Sequence, residues 1–544
     1  MAKQFICDDR TVVMTDKGKL RGFLFDGIYT FHGIRYAKAK RFHQPEEVKP
    51  WEGVKDALSY GMICPVLTQP KPTGEVLTPH RFWPESEHCQ YLNVWTKSID
   101  PSAKRPVIFW MHGGGFNAGS SIEQVAYEGD NLARFGDVVV VSVNHRLNVF
   151  GHLDLSPYGE QYRNSVNAGM ADIVAALKWV HDNIAAFGGD PENVTSFGQS
   201  GGGRKVTTLG QTPAAAGLFH KAMIMSGISD DPLMGSNISA EEYAKAVLDG
   251  FGLKPEEAEK LEKVPTVLFI RKINEINAKL AAEGKRYSYA PRPNDWYLGN
   301  PLEVGFAPHY QEVPLIVGTT FGEFNMLPVI PDADALSPAE RRAKIAEHFG
   351  EENADEVVRL MKEAYPERNE MDAMYYDVMQ YRPASLAYIK AKAALGKAPV
   401  WCYQFALGFN YLGGQRIAWH CSDIAFMFRT ADRLPICQIE GTTEPLEEAM
   451  SGALLSLAYT GDPNGQVADV PAAGAGLASG FLPEWKPCVP GEMNVMIFDR
   501  TCLQKTNHEE ELMPFLKAHK PPFRFDPSMF PKDEDEEEGA AWVF

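Results

Sequence analysis

The stretch Val194-Thr-Ser-Phe-Gly-Gln-Ser200-Gly-Gly-Gly203 runs β-branched and aromatic residues into a serine that has glycine two places away on either side. Such a run reads as a buried strand that ends in a sharp turn and re-enters as a helix. The turn forces Ser200 into a strained backbone conformation, so Gly198 and Gly202 must be nearly free of side chain. It aims the Ser200 hydroxyl out of the fold and leaves the Gly201 N–H at the start of the helix. The five-residue pattern G-x-S-x-G also recurs by chance, and a glycine-rich loop with no further role would look the same. The rest of the chain decides between the two.

An earlier segment supplies the complement. Val107-Ile-Phe-Trp-Met111 is an apolar run suited to a parallel strand, and His112-Gly-Gly-Gly-Phe116 follows it at once. Three successive glycines let the backbone approach a ligand and turn its N–H groups inward, as a site for a developing oxyanion requires. Further along come a strand at 138–143, a helix over 168–186, the elbow strand and another strand at 222–225. Strands that alternate with helical stretches predict an α/β fold with a mostly parallel central sheet, covered by helices on both faces.

The segments HGGGF at 112–116, GDVVVVSVNHRLNVFG at 136–151, the stretch from Asn167 to Gly203 and GLFHKAMIMSG at 217–227 resemble type-B carboxylesterases, the family that also holds the cholinesterases. GKLRGFLFDGIYTFHGIRYA near the start, SEHCQYLNVW at 86–95 and LAYTGDPNG at 457–465 are similar to further landmarks of that family, so the resemblance covers nearly the whole chain. It implies an α/β-hydrolase fold with helical lid insertions and a serine carboxylesterase activity. A non-catalytic adhesion protein of the same family would keep the fold and lose the reactive residues, but here all of them are present.

Nucleophile, acid and histidine follow in that order in α/β-hydrolases. Ser200 is the expected nucleophile. A strand at 313–318 leads into Thr319-Thr-Phe-Gly-Glu323-Phe324, which resembles the family's acid loop and makes Glu323 the expected acid. Gly322 and Phe324 stand where the family usually has an acidic residue and a glycine. After a strand at 400–405, Trp419-His420-Cys-Ser-Asp423 resembles the family's histidine loop, with His420 as general base. The resemblance implies backbone N–H groups of Gly114, Gly115 and Gly201 as the oxyanion hole. Phe116, Gln199, Phe324 and Trp419 are pocket candidates, as is Trp83, and each of the aromatics suits core packing equally well. Gln199 takes the place of a glutamate that in the cholinesterases helps hold a cationic alcohol group, which predicts a preference for uncharged esters. His112 and His145 are expected to be structural, and Cys421 to be a small buried residue, not a nucleophile.

The chain has 544 residues and no Gly/Ser or Pro-rich linker between its motifs. Residues 1–530 are therefore expected to form one large catalytic domain, with the acidic stretch in 531–544 as a mobile tail. Helical stretches at 240–251, 254–280 and 338–365 are either lid elements or plain surface helices. A formal net charge of −18 disfavours nucleic acid and anionic membranes as partners, and the resemblance implies a small-molecule ester as substrate. Cys and His show no metal-ligand spacing, and the chemistry requires no metal or organic cofactor. The absence of an apolar leader or spanning segment predicts a cytoplasmic protein. Cys64 and Cys89 stand where secreted relatives carry a disulfide; in a reducing compartment they are expected to be thiols.

Overall fold

The computed structural model describes residues 4–68, 77, 79–231, 235–325, 330–411, 414–464 and 482–521. The acidic tail at 531–544 lies outside the described residues.

Twelve strands form one sheet. In chain order they are β1 (Phe5–Ile6), β2 (Phe23–Phe25), β3 (Ile28–Arg35), β4 (Tyr91–Thr96), β5 (Arg105–Met111), β6 (Val139–Val143), β7 (Gly189–Gln199), β8 (Lys221–Met225), β9 (Leu315–Thr320), β10 (Val400–Phe405), β11 (Asn494–Phe498) and β12 (Leu503–Thr506). In space the order follows the chain except at one place, where β6 lies between β4 and β5. From β6 across to β11 neighbouring strands are parallel. The flanking strands β1–β4 and β12 pair antiparallel. Every residue of β6, β9, β10 and β11 is buried, which requires cover on both faces of the sheet.

The covering helices include α1 (Ala168–Asn183) and α2 (Gly201–Gly210), both packed on β7. Farther along, α7 (Arg382–Ala393) packs on β9 and β10, and α8 (Thr443–Thr460) on β5, β7 and β8. One apolar core runs from Val13 to Leu516. At its centre the cross-strand neighbours Trp110 and Phe197 meet at 4.5 Å between ring centroids, with Phe428 against both.

The peripheral helices are more broken than the sequence predicts. The stretch at 254–280 is a 3-10 helix, Pro255–Lys263, followed by α4 (Thr266–Ala282). Val264 is extended, with ψ 126°, because the ring of Pro265 excludes the helical conformation from the residue before it. The stretch at 338–365 divides into α5 (Pro338–Phe349) and α6 (Ala354–Ala364) at Gly350, whose φ of +91° no helix can continue through. The helix expected over 168–186 ends at Asn183 and continues as the 3-10 turn Ile184–Phe187. Together α3 (Ala240–Gly250) and α4 bury Tyr243, Phe269 and Ile273 in a second apolar cluster with Phe42, Leu147, Phe150, Cys64 and Cys89.

Candidate active site

The loops that carry the candidate residues leave the carboxyl ends of adjacent parallel strands, where crevices form in sheets of this kind. Register aligns the ends: Met111 pairs with Gly198, Gln199 with Met225, and Met225 with Gly318. Beyond these ends the ladder continues, with Ser200 N donating to Met225 O at 2.8 Å and Ser226 N to Gly318 O at 2.8 Å. Ser200 therefore has a held backbone, and the conformation imposed on it is unusual. Its φ of 57° and ψ of −121° are strained for a residue with a side chain. A Cβ on Gly198 would lie 2.4 Å from the carbonyl carbon of Gly202, and one on Gly202 would lie 2.0 Å from Met111 O. Neither position has room for anything but glycine.

The glycine loop after β5 turns through Gly114 and Gly115, at φ 77° and 61°. Gly114 O accepts from the N–H groups of Asn117 and Ala118, both at 3.1 Å, which closes the turn. The backbones of Gly115 and Gly201 touch: a Cβ on Gly201 would stand 2.4 Å from Gly115 N. Among the described residues neither the Gly114 nor the Gly115 N–H has an acceptor.

Glu323 and His420 come from loops 97 residues apart that the backbone ties together. Gly322 N donates to Ala418 O and His420 N to Glu323 O, both at 2.9 Å, one bond on each side of the pair. Glu323 Oε2 accepts from His420 Nδ1 at 2.5 Å. Its other oxygen accepts from Ser226 Oγ at 2.6 Å and Thr320 N at 2.8 Å. This buried carboxylate thus accepts three hydrogen bonds, and with Nδ1 bonded to it the neutral imidazole has Nε2 as its acceptor nitrogen.

Gln199 meets that nitrogen. Its Nε2 lies 3.3 Å from His420 Nε2, while its Oε1 accepts from the Cys421 thiol at 3.3 Å, so the amide is oriented with its N–H groups toward the histidine. Burial pushes the Cys421 thiol well above its ordinary value, with the charges of Asp423 and Glu323 acting in the same direction. A thiol so raised is a poor nucleophile. Phe324 packs against the imidazole at 4.4 Å, and Tyr381 stacks on it at 5.0 Å and 9°.

The other aromatic candidates make their ring contacts away from the imidazole. Phe116 is 2% exposed and packs on His152, and Trp419 is 4% exposed and packs on Phe409, so both are core residues. Trp83 is 36% exposed and stands edge-on to Tyr60. His112 and His145 are buried and stacked at 5.1 Å, and each has Nδ1 against a backbone carbonyl. Burial holds both imidazoles well below the usual histidine range.

Two residues of the site escaped the sequence reading. Ser226 opens the loop after β8 and supports Glu323, but a serine in S-G carries no local signature. Tyr381 sits just before α7, where the Asp377 carboxylate accepts from the N–H groups of Gln380, Tyr381 and Arg382 at 2.8–2.9 Å and sets the helix start. Its phenol lies beside the Ser200 side chain, and burial raises it to about 12. Beneath the histidine loop, Tyr403 donates to Asp423 Oδ2 at 2.7 Å; burial, with the charge of Glu323, pushes Asp423 up to about 7. No cluster of His, Cys, Asp or Glu among the described residues is arranged to hold a metal ion.

Comparison with known proteins gives this constellation its class. A model described as the carboxylesterase family matches residues 9–515. A para-nitrobenzyl esterase of Bacillus subtilis (strain 168) is 34% identical over 471 residues, covering 85% of this chain and 92% of that protein. A solved esterase from the anaerobe Clostridium hathewayi, described as able to hydrolyse aliphatic aromatic polyesters, is 46% identical. It superposes with a TM-score of 0.89 over 95% of this chain and 100% of that one. A Geobacillus stearothermophilus carboxylesterase is 32% identical with a TM-score of 0.69, covering 93% of this chain and 100% of that one.

The fold is that of the α/β-hydrolases, and the protein is a carboxylic ester hydrolase. The chain belongs to the carboxylesterase family, type B.

Proposed function

We propose that the protein hydrolyses uncharged carboxylic esters through an acyl-enzyme on Ser200, with His420 as general base and Glu323 as the acid that orients it. The observation that carries the reading is the Glu323 carboxylate on His420 Nδ1, which leaves Nε2 as the basic nitrogen of an imidazole stacked on Tyr381, whose phenol lies beside the Ser200 side chain. Residues up to 530 act as one catalytic unit. As the Ser200 Oγ–acyl carbon bond forms, the hydroxyl proton passes to His420 and the carbonyl electron pair moves onto its oxygen. Gly114, Gly115 and Gly201 meet that oxyanion with N–H groups, each worth about 10²- to 10³-fold in rate. When the oxyanion collapses, the ester C–O bond breaks and His420 gives its proton to the leaving alcohol. Water repeats the sequence and frees the acid.

With a neutral amide at Gln199 beside the histidine, esters lacking a cationic alcohol are the favoured class. Because the 46% identical relative is described as acting on aliphatic aromatic polyesters, such polymers are a substrate class to include. Ser200→Ala is the direct test: it should fold and lose nearly all ester turnover, and in the parent protein a fluorophosphonate should label Ser200 stoichiometrically. Label on another serine, or turnover that survives the substitution, would refute the assignment.

A further inference from the structure

Four residues beyond Ser200, the helix α2 carries Arg204, which neither the proposed chemistry nor the core uses. Its N–H donates to Ser200 O at 3.0 Å, so the two residues are one turn apart on the same helix face. Side chains on a helix lean toward its N-terminus, which directs Arg204 back toward the serine. The guanidinium is within electrostatic reach of the Tyr381 phenol, itself beside Ser200, and of Tyr297 and Asp231.

Its bonding is thin for a half-buried cation. Nη1 reaches Asp231 O at 3.4 Å, and among the described residues no carboxylate closes an ion pair with it. Burial lowers the guanidinium from its ordinary value, yet it remains a cation at any physiological pH. A positive charge near the positive end of a helix also opposes the helix dipole. A half-buried cation one helical turn from the nucleophile, with no carboxylate partner among the described residues and in an electrostatically unfavourable place, is a good carboxylate receptor.

We infer that Arg204 binds a carboxylate of the substrate, extending the site from uncharged esters to esters that also carry a free acid group. The inference rests on the proposed reaction at Ser200. Half-esters of dicarboxylic acids are the simplest such class, and they arise whenever one bond of a diester is cut. Arg204 would allow the same site to take the first product as its second substrate. The protein's net charge of −18 opposes the approach of any anion, so a local cation is needed for such a substrate to compete.

The test compares kcat/KM for monoethyl and diethyl adipate, and separately for 4-acetoxybutanoate and its methyl ester, in the parent protein, Arg204→Met and Arg204→Lys. The first pair puts the carboxylate on the acyl side and the second on the alcohol side. In one pair or both, Arg204→Met should lower the ratio of anionic to neutral ester by about tenfold or more, and Arg204→Lys should recover part of it, keeping the charge without the planar fork. The parent's ratio should also fall between about 20 mM and about 500 mM salt as the attraction is screened. Fluorophosphonate labelling of Ser200 establishes that each variant is folded. Ratios that do not change in either pair, with labelling intact, overturn the inference. If Arg204→Met does not label, the parent's salt series decides: a ratio that does not fall overturns it. Absence of any ester turnover and of label on Ser200 in the parent would instead refute the proposed reaction.

Discussion

At the scale of single residues the site is defined by what each polar atom faces. Gln199 presents N–H groups to His420 Nε2, where a glutamate would present a second carboxylate. A neutral amide offers a quaternary ammonium no Coulomb attraction, and stacking on an aromatic ring returns only about 0.5–2 kcal/mol. In a matched pair of the same acid, the uncharged ester should therefore have the higher kcat/KM, and Gln199→Glu should narrow the gap. A parent preference for the choline ester would contradict this. Ser226 makes a different contribution, since its hydroxyl bonds the carboxylate and not the substrate. Ser226→Ala should reduce kcat by about tenfold with KM little changed, because Glu323 loses one of three bonds that fix it. An unaltered kcat would mean that Thr320 N and His420 suffice.

Among the elements, the elbow leaves the least freedom. Gly202→Ala would set a methyl against Met111 O, and both strand and helix resist the shift that would relieve it. The expected cost is about 3 kcal/mol, read as a lower urea midpoint, with loss of activity in whatever remains folded. Wild-type stability in that variant would show that the turn can open. The same close packing explains what could be read in advance. Strands buried on both faces must be continuous apolar runs, so 107–111, 138–143, 222–225 and 400–405 mark β5, β6, β8 and β10 to within a residue or two. Ser200, Glu323 and His420 stand out because each sits in a loop whose composition the geometry constrains. Ser226 and Tyr381 do not, since their roles depend on where distant loops happen to meet. The helix breaks at Pro265 and Gly350 were visible as residue types, but amphipathic periodicity on either side of them suggested continuous helices.

For the molecule as a whole, buried ionisable groups control how stability responds to conditions. Burial lowers Lys205 to about 7, although its Nζ donates to His112 O at 2.9 Å. Between that value and the ordinary 10.5 the unfolded chain holds a proton that the folded one has released, so this residue's contribution to stability rises with pH across the window. Below it the folded protein bears the full cost of a buried charge. Lys205→Met should therefore raise the urea midpoint most at about pH 6, and the gain should shrink toward about pH 9. A gain independent of pH would count against it. All eight cysteines are thiols in the structure, Cys64 and Cys89 among them. Protein made in a reducing cytoplasm should titrate eight thiols when denatured and melt at the same temperature with or without reductant. A bridge between that pair would be worth roughly 3–4 kcal/mol and would show as a clear drop on reduction. The backbone tie between the loops of Glu323 and His420 has a further consequence, for the order in which the molecule is made. During synthesis Ser200 leaves the ribosome well before His420 and Glu323, and on the proposed reaction it stays an ordinary alcohol until His420 has emerged and docked beside Glu323. The proposed reaction therefore predicts a growing chain that is not acylated until His420 is in place. A phosphonate probe offered to ribosome-bound chains stalled short of His420 should leave Ser200 unmarked, and marking at that stage would show that the serine is reactive without the histidine.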